Sequence, residues 1–595
     1  MKSPFENKTL WVLVLLLSLH GAVRSQVFST SVEVADEADI NRTGRFPLII
    51  TGLPTSINKE KFGLEKVCIT SPVQLRGAMN LFLHAPSGFT IMLMSTRKGD
   101  EEDTRSICFT QESKSTSADL GAEFSGDIKA VFSPGLFNNG MNPNGTWWLQ
   151  ADGYSLTSVF HDRITWSLQF GSAPAKVQHT TYSPLPKLVI ETGNTEILND
   201  KKVRSQMRIF DHGDIKNAEP SFTCLAGIEY RGSSSLSFAQ RSYSIKTVDS
   251  TGKPRNVSLL GMPDEHDWVL NNHFRDHSLL RNTFSMQLWT EFGHYAPRAH
   301  YCELEINGMY MGLYALMEKI KIDKNRVSIK KLAKTDTSGI SVTGGYLFKI
   351  DRANGADNEY WFSRYEPLEH FGGQRIGFLF DTPGQNKIQP AQNAYLKAYV
   401  DSFETAFALL ERSDDPIGRV NDYIDLRSFI DYFIFTELSR NFDGFRASSY
   451  MYKKRNGKIY FGPVWDYDLA WGNLVGCQCD STEGWAFELG KVCNRETFQV
   501  PFWWEKLMSN KTLNDSLCSR YFSLRQSCLS SSQINALIDS LSATAVLASD
   551  AHFRQWSPDV YTFSSTAPRP MKDDIEYMKN WIHRRLLWMD AHLRK

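Results

Sequence analysis

The chain lacks a net charge, since 66 Lys and Arg residues are matched by 66 Asp and Glu. A balanced chain projects no global field that would gather nucleic acid or an anionic membrane, so no nucleic-acid partner is expected and any charged partner has to be recognised locally. Long apolar runs are scarce as well. The run Leu10 to Leu19 follows Lys2 and Lys8 and precedes the small residues Val23 and Ser25. It is short of the roughly 20 residues that a membrane span needs. This is the order of a signal peptide, residues 1–25, removed before Gln26. No later stretch reaches spanning length, so the expected product has no transmembrane span after cleavage and is located in the secretory-pathway lumen or outside the cell.

Nine cysteines suit such an oxidising compartment. Cys68 and Cys108 lie in one β-rich segment and form an expected local bridge, and order along the chain offers Cys224 with Cys302 and Cys518 with Cys528. That leaves Cys477, Cys479 and Cys493, an odd cluster in which at least one thiol is free or pairs between chains. Zinc is disfavoured there because neither a His nor a fourth Cys stands at ligand spacing. Sequons at Asn41, Asn144, Asn256, Asn510 and Asn514 are open to glycosylation in that compartment.

The length exceeds what one core organises. After an N-terminal extension, 26–60, residues 61–171 read as short alternating strands punctuated by Gly, Pro, Asn and Asp, the pattern of an all-β sandwich. Ser172 to Pro186, SAPAKVQHTTYSPLP, has linker composition. Residues 187–595 form the second domain: strands from Leu188, a helix over Ser278 to Phe292, two more strands, and then mostly helices. Leu426, Phe429, Ile430, Phe433, Ile434 and Leu438 coat a helix nearly all round, which predicts burial. At the end, Ile575, Met578, Ile582, Leu586, Met589 and Leu593 oppose Lys579, Arg584, Arg585 and Asp590 on an amphipathic helix whose mixed charge favours packing on the rest of the domain over a membrane surface.

The segment Asn441 to Asn473, NFDGFRASSYMYKKRNGKIYFGPVWDYDLAWGN, carries the chemistry. Ala447 to Lys453 and Lys458 to Phe461 read as strands joined by the turn residues Arg455-Asn456-Gly457. Antiparallel pairing brings Asp443 and Asp466 together at the open end, the layout of phosphoryl transfer. Five further motifs stand in register with this segment: LPKLVIET (Leu185 to Thr192), YRGSSSLSFAQRSYSIKT (Tyr230 to Thr247), HSLLRNTFSMQLW (His277 to Trp289), INGMYMGLYALMEKI (Ile306 to Ile320) and GGYLFKID (Gly344 to Asp351). Together they resemble the spore-coat protein kinase CotH family along about two thirds of the chain. Separately, Pro143-Asn144-Gly145-Thr146-Trp147-Trp148-Leu149 and Ile164-Thr165-Trp166-Ser167-Leu168 resemble the P-domain of proprotein convertases, a jelly roll. No protease domain precedes it, so it reads as an accessory module for a surface or matrix ligand, or as a brace.

The CotH resemblance implies a multi-domain chain in which an α+β, two-lobed, atypical protein-kinase-like domain follows the jelly roll. It also implies ATP, with Mg²⁺ or Mn²⁺, and a protein partner with a Ser or Thr acceptor. Residue by residue it makes Asp443 the catalytic group that orients the acceptor hydroxyl and Asp466 the metal ligand. Asp468, two residues on, either shares the ion or caps a turn. Lys246 is expected at the nucleotide phosphates, Arg231 and Ser233 in a phosphate-covering loop, and Glu318 beside the adenine or in a surface salt bridge. The sequence departs from ordinary kinases in three ways: the loop has one Gly, the motif His277 to Trp289 has no Glu to pair Lys246 and only Glu291 follows at its end, and Ser448 stands where a metal-binding Asn is usual. A catalytically silent kinase fold used in adhesion, or a transferase that moves AMP or glutamate, remains open beside the kinase reading.

Overall fold

The computed structural model describes residues 25–593, apart from 34–42, 71–72, 75–78, 97–102, 105, 111, 116–123, 154–162, 178–182, 194, 213–217, 354–359, 369, 371, 413 and 557–568. The signal-peptide reading and the sequon at Asn41 lie outside the described residues.

Eleven described strands come first: β1 (Gln26–Glu33), β2 (Thr43–Ile50), β3 (Gly63–Ile69), β4 (Val73–Gln74), β5 (Met79–His84), β6 (Thr90–Thr96), β7 (Asp103–Thr104), β8 (Ser106–Thr110), β9 (Ser125–Lys129), β10 (Gly145–Gly153) and β11 (Arg163–Gly171). They form a five-stranded sheet, β1-β11-β3-β8-β9, and a four-stranded sheet, β2-β10-β5-β6, with β4 and β7 paired apart. Alternation puts Ile164, Trp166, Leu168 and Phe170 of β11 inside. Trp147 of β10 meets Phe170 of the other sheet edge-on at 6.0 Å, closing one core between the sheets. Residues 26–60 are more than an extension. β1 pairs along its whole length with β11 and β2 with β10, because the final strands of each sheet would otherwise be open edges. Cys68 and Cys108 stand directly opposite on β3 and β8 and form the expected disulfide.

A second set of strands, β12 (Lys187–Glu191), β13 (Val203–Phe210), β14 (Phe222–Arg231), β15 (Ser242–Val248), β16 (Asp267–Asn271), β17 (Ala299–Ile306) and β18 (Met309–Glu318), closes into a barrel in the order β12-β13-β14-β15-β16-β18-β17. Helix α1 (Arg281–Glu291) lies between β16 and β17 in sequence. Cys224 on β14 and Cys302 on β17 are three ladder steps apart, beyond disulfide reach, so that expected pair does not form. Residues 172–186 are tied down at both described ends. The Ala175 amide donates to Leu64 O (2.9 Å), and Ser183 is buried with its amide on Glu303 (2.8 Å). One apolar cluster runs unbroken from the two sheets into the barrel.

The rest holds β19 (Tyr346–Ile350), β20 (Trp361–Phe362), β21 (Gly377–Thr382), α2 (Pro390–Ala408), α3 (Gly418–Tyr423), α4 (Leu426–Ser439), β22 (Ser449–Lys453), β23 (Ile459–Phe461), α5 (Leu489–Val492), α6 (Trp503–Ser509), α7 (Lys511–Arg525), α8 (Ser531–Gln555) and α9 (Met571–His592). The strands make a sheet, β20-β21-β19-β22-β23, packed against these helices. Helix α4 is buried on nearly every face. Helix α8 reaches back to the barrel: His552 Nδ1 accepts the Leu313 amide (3.2 Å), Trp556 Nε1 donates to Met311 O (2.7 Å), and the Trp556 ring meets Phe132 of the first unit at 5.8 Å.

Helix α9 buries its apolar stripe as expected, but Arg585 is fully buried with Glu437 of α4 at 3.1 Å and not on the outer face. Cys477 and Cys493 form the second disulfide, leaving Cys479 a thiol and removing the zinc alternative. Cys518 and Cys528 remain thiols, since Cys518 on α7 points into the core and Cys528 lies past its end. No described helix is long and apolar enough to cross a membrane.

Candidate active site

Two loops at the open end of the β22–β23 hairpin build the site. Asp425 caps α4 by accepting the Ser428 amide (2.9 Å), and the helix stops at Arg440, whose φ of 44° is left-handed. The Arg440 guanidinium donates to the carbonyls of Gln478, Glu483 and Gly484, which holds that turn in place. Asn441 O then accepts the Gly444 amide (2.9 Å) and Asp443 O the Ala447 amide (2.8 Å). Only glycine fits at 444, because a Cβ there would lie 2.3 Å from Thr436 Cγ2. Asn441 stitches the two loops together: its Oδ1 accepts the Asp443 amide (3.3 Å) and its Nδ2 donates to Asp466 O (3.1 Å).

The second loop is pinned to α1. Tyr467 N donates to Asn282 Oδ1 (2.6 Å), and Trp471 Nε1 to Ser285 Oγ (2.8 Å). Asn473 Nδ2 donates to the carbonyls of both Asp468 and Arg275, each at 2.6 Å. Helix α1 is itself fixed by buried Arg281, which pairs with Asp276 and with Asp574 of α9 at 2.6 Å each. Of eleven described non-glycine residues with positive φ, six fall from Arg440 to Trp471, Asp466 among them at 66°. Asn456 belongs to the hairpin turn and Arg440 to the helix end, while Phe445, Ser448, Asp466 and Trp471 lie in or beside the two loops.

The charges here are arranged around carboxylates. Asp466 keeps solvent-exposed surface yet lies deep among protein atoms, and desolvation, then Asp468, Asp443 and Asp351, push its carboxyl well above the usual range against the pull of Arg231. Water at the cleft mouth tempers that rise without changing its sign. Burial likewise raises Asp468, with Arg275 opposing and Asp443 and Asp276 adding to it. Asp443 is buried, 3.0 Å from Arg352 and 3.7 Å from the fully buried Arg446. Asp351, at the end of β19, accepts the Ser448 amide (3.2 Å) and pairs with Lys349 (2.6 Å). These carboxylates act on one another electrostatically, and their hard oxygen donors suit a small divalent cation such as Mg²⁺ or Mn²⁺ that would relieve the repulsion, although among the described residues no three of them stand within one ion's ligand sphere.

Four of the seven residues named from the sequence thus converge: Asp443, Asp466, Asp468 and Arg231, whose guanidinium lies 5.1 Å over the Trp465 ring. Ser233 is exposed at the turn that joins β14 to β15 and makes no capping bond. Gly232 before it has a φ of 121°, and a Cβ there would strike Ser235 Oγ. Lys246 shares the outward face of the barrel strands with Arg231 but is four residues along β15 from Ser242, Arg231's ladder partner, about 13 Å away. Its partner is Asp267 on β16 (2.6 Å), an acid that also holds Lys321 (2.8 Å), so the missing helix glutamate is replaced by a neighbouring strand. Glu318 is fully buried between Arg298 (2.8 Å), Arg326 (3.0 Å) and Tyr295; its salt bridge is internal and uses neither Lys319 nor Lys321.

Sequence reasoning did not single out Asp351, Arg352, Arg275, Arg446 or Asn282. Asp351 ended a motif already noticed, GGYLFKID, but the ladder that sets it beside Ser448 joins residues about a hundred positions apart.

The CotH kinase protein family matches residues 228–589, more than half of the chain. The chain is also 23% identical over 248 residues to inner spore coat protein H of Bacillus subtilis (strain 168), an alignment that takes in 42% of this chain and spans 59% of that relative's length. With both loops and α1 inside the matched region, the chain belongs to the CotH kinase protein family.

Proposed function

We propose that the protein is an atypical kinase of the secretory pathway or extracellular space, which transfers the γ-phosphate of ATP to Ser or Thr of a protein. The observation that carries this reading is the convergence of Asp443, Asp466 and Asp468 with Arg231 at the end of one hairpin, inside the region that the kinase family matches. In this reading the barrel with α1 serves as the small lobe and the helical part as the large lobe, and the two-sheet unit is a jelly-roll module bracing the small lobe.

Asp466 and Asp468 would hold the divalent ion, which when bound neutralises phosphate charge. Asp443, fixed by Arg352 and its Asn441 contact, orients the acceptor hydroxyl and takes its proton as the hydroxyl oxygen bonds to the γ-phosphorus and the bond to the β-phosphate oxygen breaks. Arg231 and the Ser233 turn offer donors to the phosphates. Asp351 occupies the neighbourhood of Ser448, where an ordinary kinase has its Asn, and its negative charge, which acts on Asp466, would add to the attraction for a cation held there. Lys246, bound to Asp267, reaches the phosphates only by exchanging that partner.

Incubation with γ-labelled and with α-labelled ATP tests the proposal. Label on Ser or Thr from the γ position alone is expected. Transfer from the α position would mean AMP transfer, and no transfer from either with a broad set of secreted proteins would favour a silent fold.

A further inference from the structure

A cavity lies between the two-sheet unit and the barrel, among residues the proposed reaction does not use. One wall is formed by the sheet residues Phe82, His84 and Met92, the other by Tyr230, Arg241 and Met311, and the cavity has a volume of about 100 Å³. Pockets at such boundaries, largely apolar with a few polar groups, are where small ligands bind.

Arg241 is the one Lys or Arg among the described lining residues. Its guanidinium lies over two rings, 5.4 Å from Phe82 of one unit and 4.5 Å from Tyr230 of the other. Its nearest carboxylate, Asp152, stands off at 4.0 Å, and its Nε is buried without a hydrogen-bond partner. A buried donor left unmade is costly, and a guanidinium held by two rings loses little further freedom on meeting a planar acceptor. The acid in the lining, Glu196, is half-exposed and drawn 3.9 Å from Arg45. His84 is buried, and desolvation, with Arg45 nearby, lowers its pKa to about 4, so near neutral pH it adds no second cation.

We propose that this cavity binds a small amphipathic carboxylate, with the carboxylate on Arg241 and the apolar body among Phe82, Met92 and Met311. One cation suits a monoanion, whereas a phosphate dianion would bring more charge than the lining can match. The ligand would touch both units, so its binding stabilises their junction.

Phenylacetate and its neutral analogue phenylacetamide are the probes, applied to the full chain carrying methyl-labelled methionine. Millimolar phenylacetate is expected to shift the methyl signals of Met92, Met309 and Met311 and to raise the melting temperature, and phenylacetamide to do neither. Arg241→Met should weaken phenylacetate binding at least about tenfold, the scale of a lost charge-assisted hydrogen bond. Asp152→Asn, which removes the competing acid, should leave it unchanged or tighter. Should Arg241→Met not fold, the amide comparison and Asp152→Asn still decide. Equal binding of acid and amide, weaker binding by Asp152→Asn, or shifts confined to other methionines would overturn the proposal.

Discussion

Glu404 on α2 is buried with no cation beside it. It accepts hydrogen bonds from Ser363 Oγ (2.8 and 2.9 Å) and Trp503 Nε1 (3.2 Å), and desolvation pushes its pKa from 4.5 to about 7. Two other buried carboxylates are compensated: Glu437 by Arg585, and Asp431 by Arg520, Arg427 and His294. The sign of the pH effect follows from proton binding. Between pH 4.5 and 7 the folded state keeps the Glu404 proton and the unfolded chain loses it, so stability falls as pH rises and levels off once both states are ionised. A rise from 4.5 to about 7 corresponds to about 3 kcal/mol. Glutamine keeps the shape, accepts from Trp503 and donates to Ser363, and carries no charge to desolvate. Glu404→Gln should therefore be more stable than wild type by about 2 to 3 kcal/mol near pH 8 and close to neutral near pH 5. Denaturant unfolding of both proteins across that range measures the difference. A variant less stable near pH 8, or a difference that does not change with pH, would refute the reasoning.

Three further outcomes are expected. Trp556→Ala should destabilise by about 3 to 5 kcal/mol and lower the melting temperature of both β units together, because that ring joins Phe132 to Met311; calorimetry resolving two independent transitions would contradict it. Arg281→Met leaves Asp276 buried without its cation and Asp574 with Arg569 alone at 3.5 Å, so a loss of about 3 to 5 kcal/mol is expected in thermal or urea unfolding, and a neutral result would mean that the clamp is not formed. Proteolytic nicking within 172–186 should yield two fragments that co-elute in gel filtration, since one apolar core spans the cut; separation into two stable pieces would show independent domains.

The elements legible in the sequence were those that local pattern specifies. The hairpin turn Arg455-Asn456-Gly457 appears between β22 and β23, α1 and α4 fall within a few residues of their expected bounds, and the Cys68–Cys108 pair was marked by two alternating strands. What stayed hidden depends on partners distant in sequence. β1 and β2 carry no signal that ties them to β11 and β10, and Arg585 reads as a surface cation until α4 supplies Glu437. In the site, Asp443 and Asp466 were legible because one hairpin separates them. Asp351 and Arg275 were not, because a sheet ladder and a loop crossing deliver them. Lys246 shows the limit of motif transfer: it stands within a motif that the sequence displays, but its pairing with Asp267 depends on the register between β15 and β16.

The central claim is that Asp443 acts on the acceptor hydroxyl. Asp443→Asn should lower phosphate transfer by roughly a hundredfold or more, the scale of losing a positioned acid or base. Affinity for ATP and the melting temperature should change little, because in the proposed mode the residue serves the acceptor and Arg446 keeps Glu496 at 3.5 Å and its bonds to the carbonyls of Phe442 and Phe498. Transfer rate measured beside melting temperature for wild type and variant is the decisive comparison. The account predicts a collapse in rate at nearly constant melting temperature; equal rates, or a loss of rate that tracks unfolding, would contradict it.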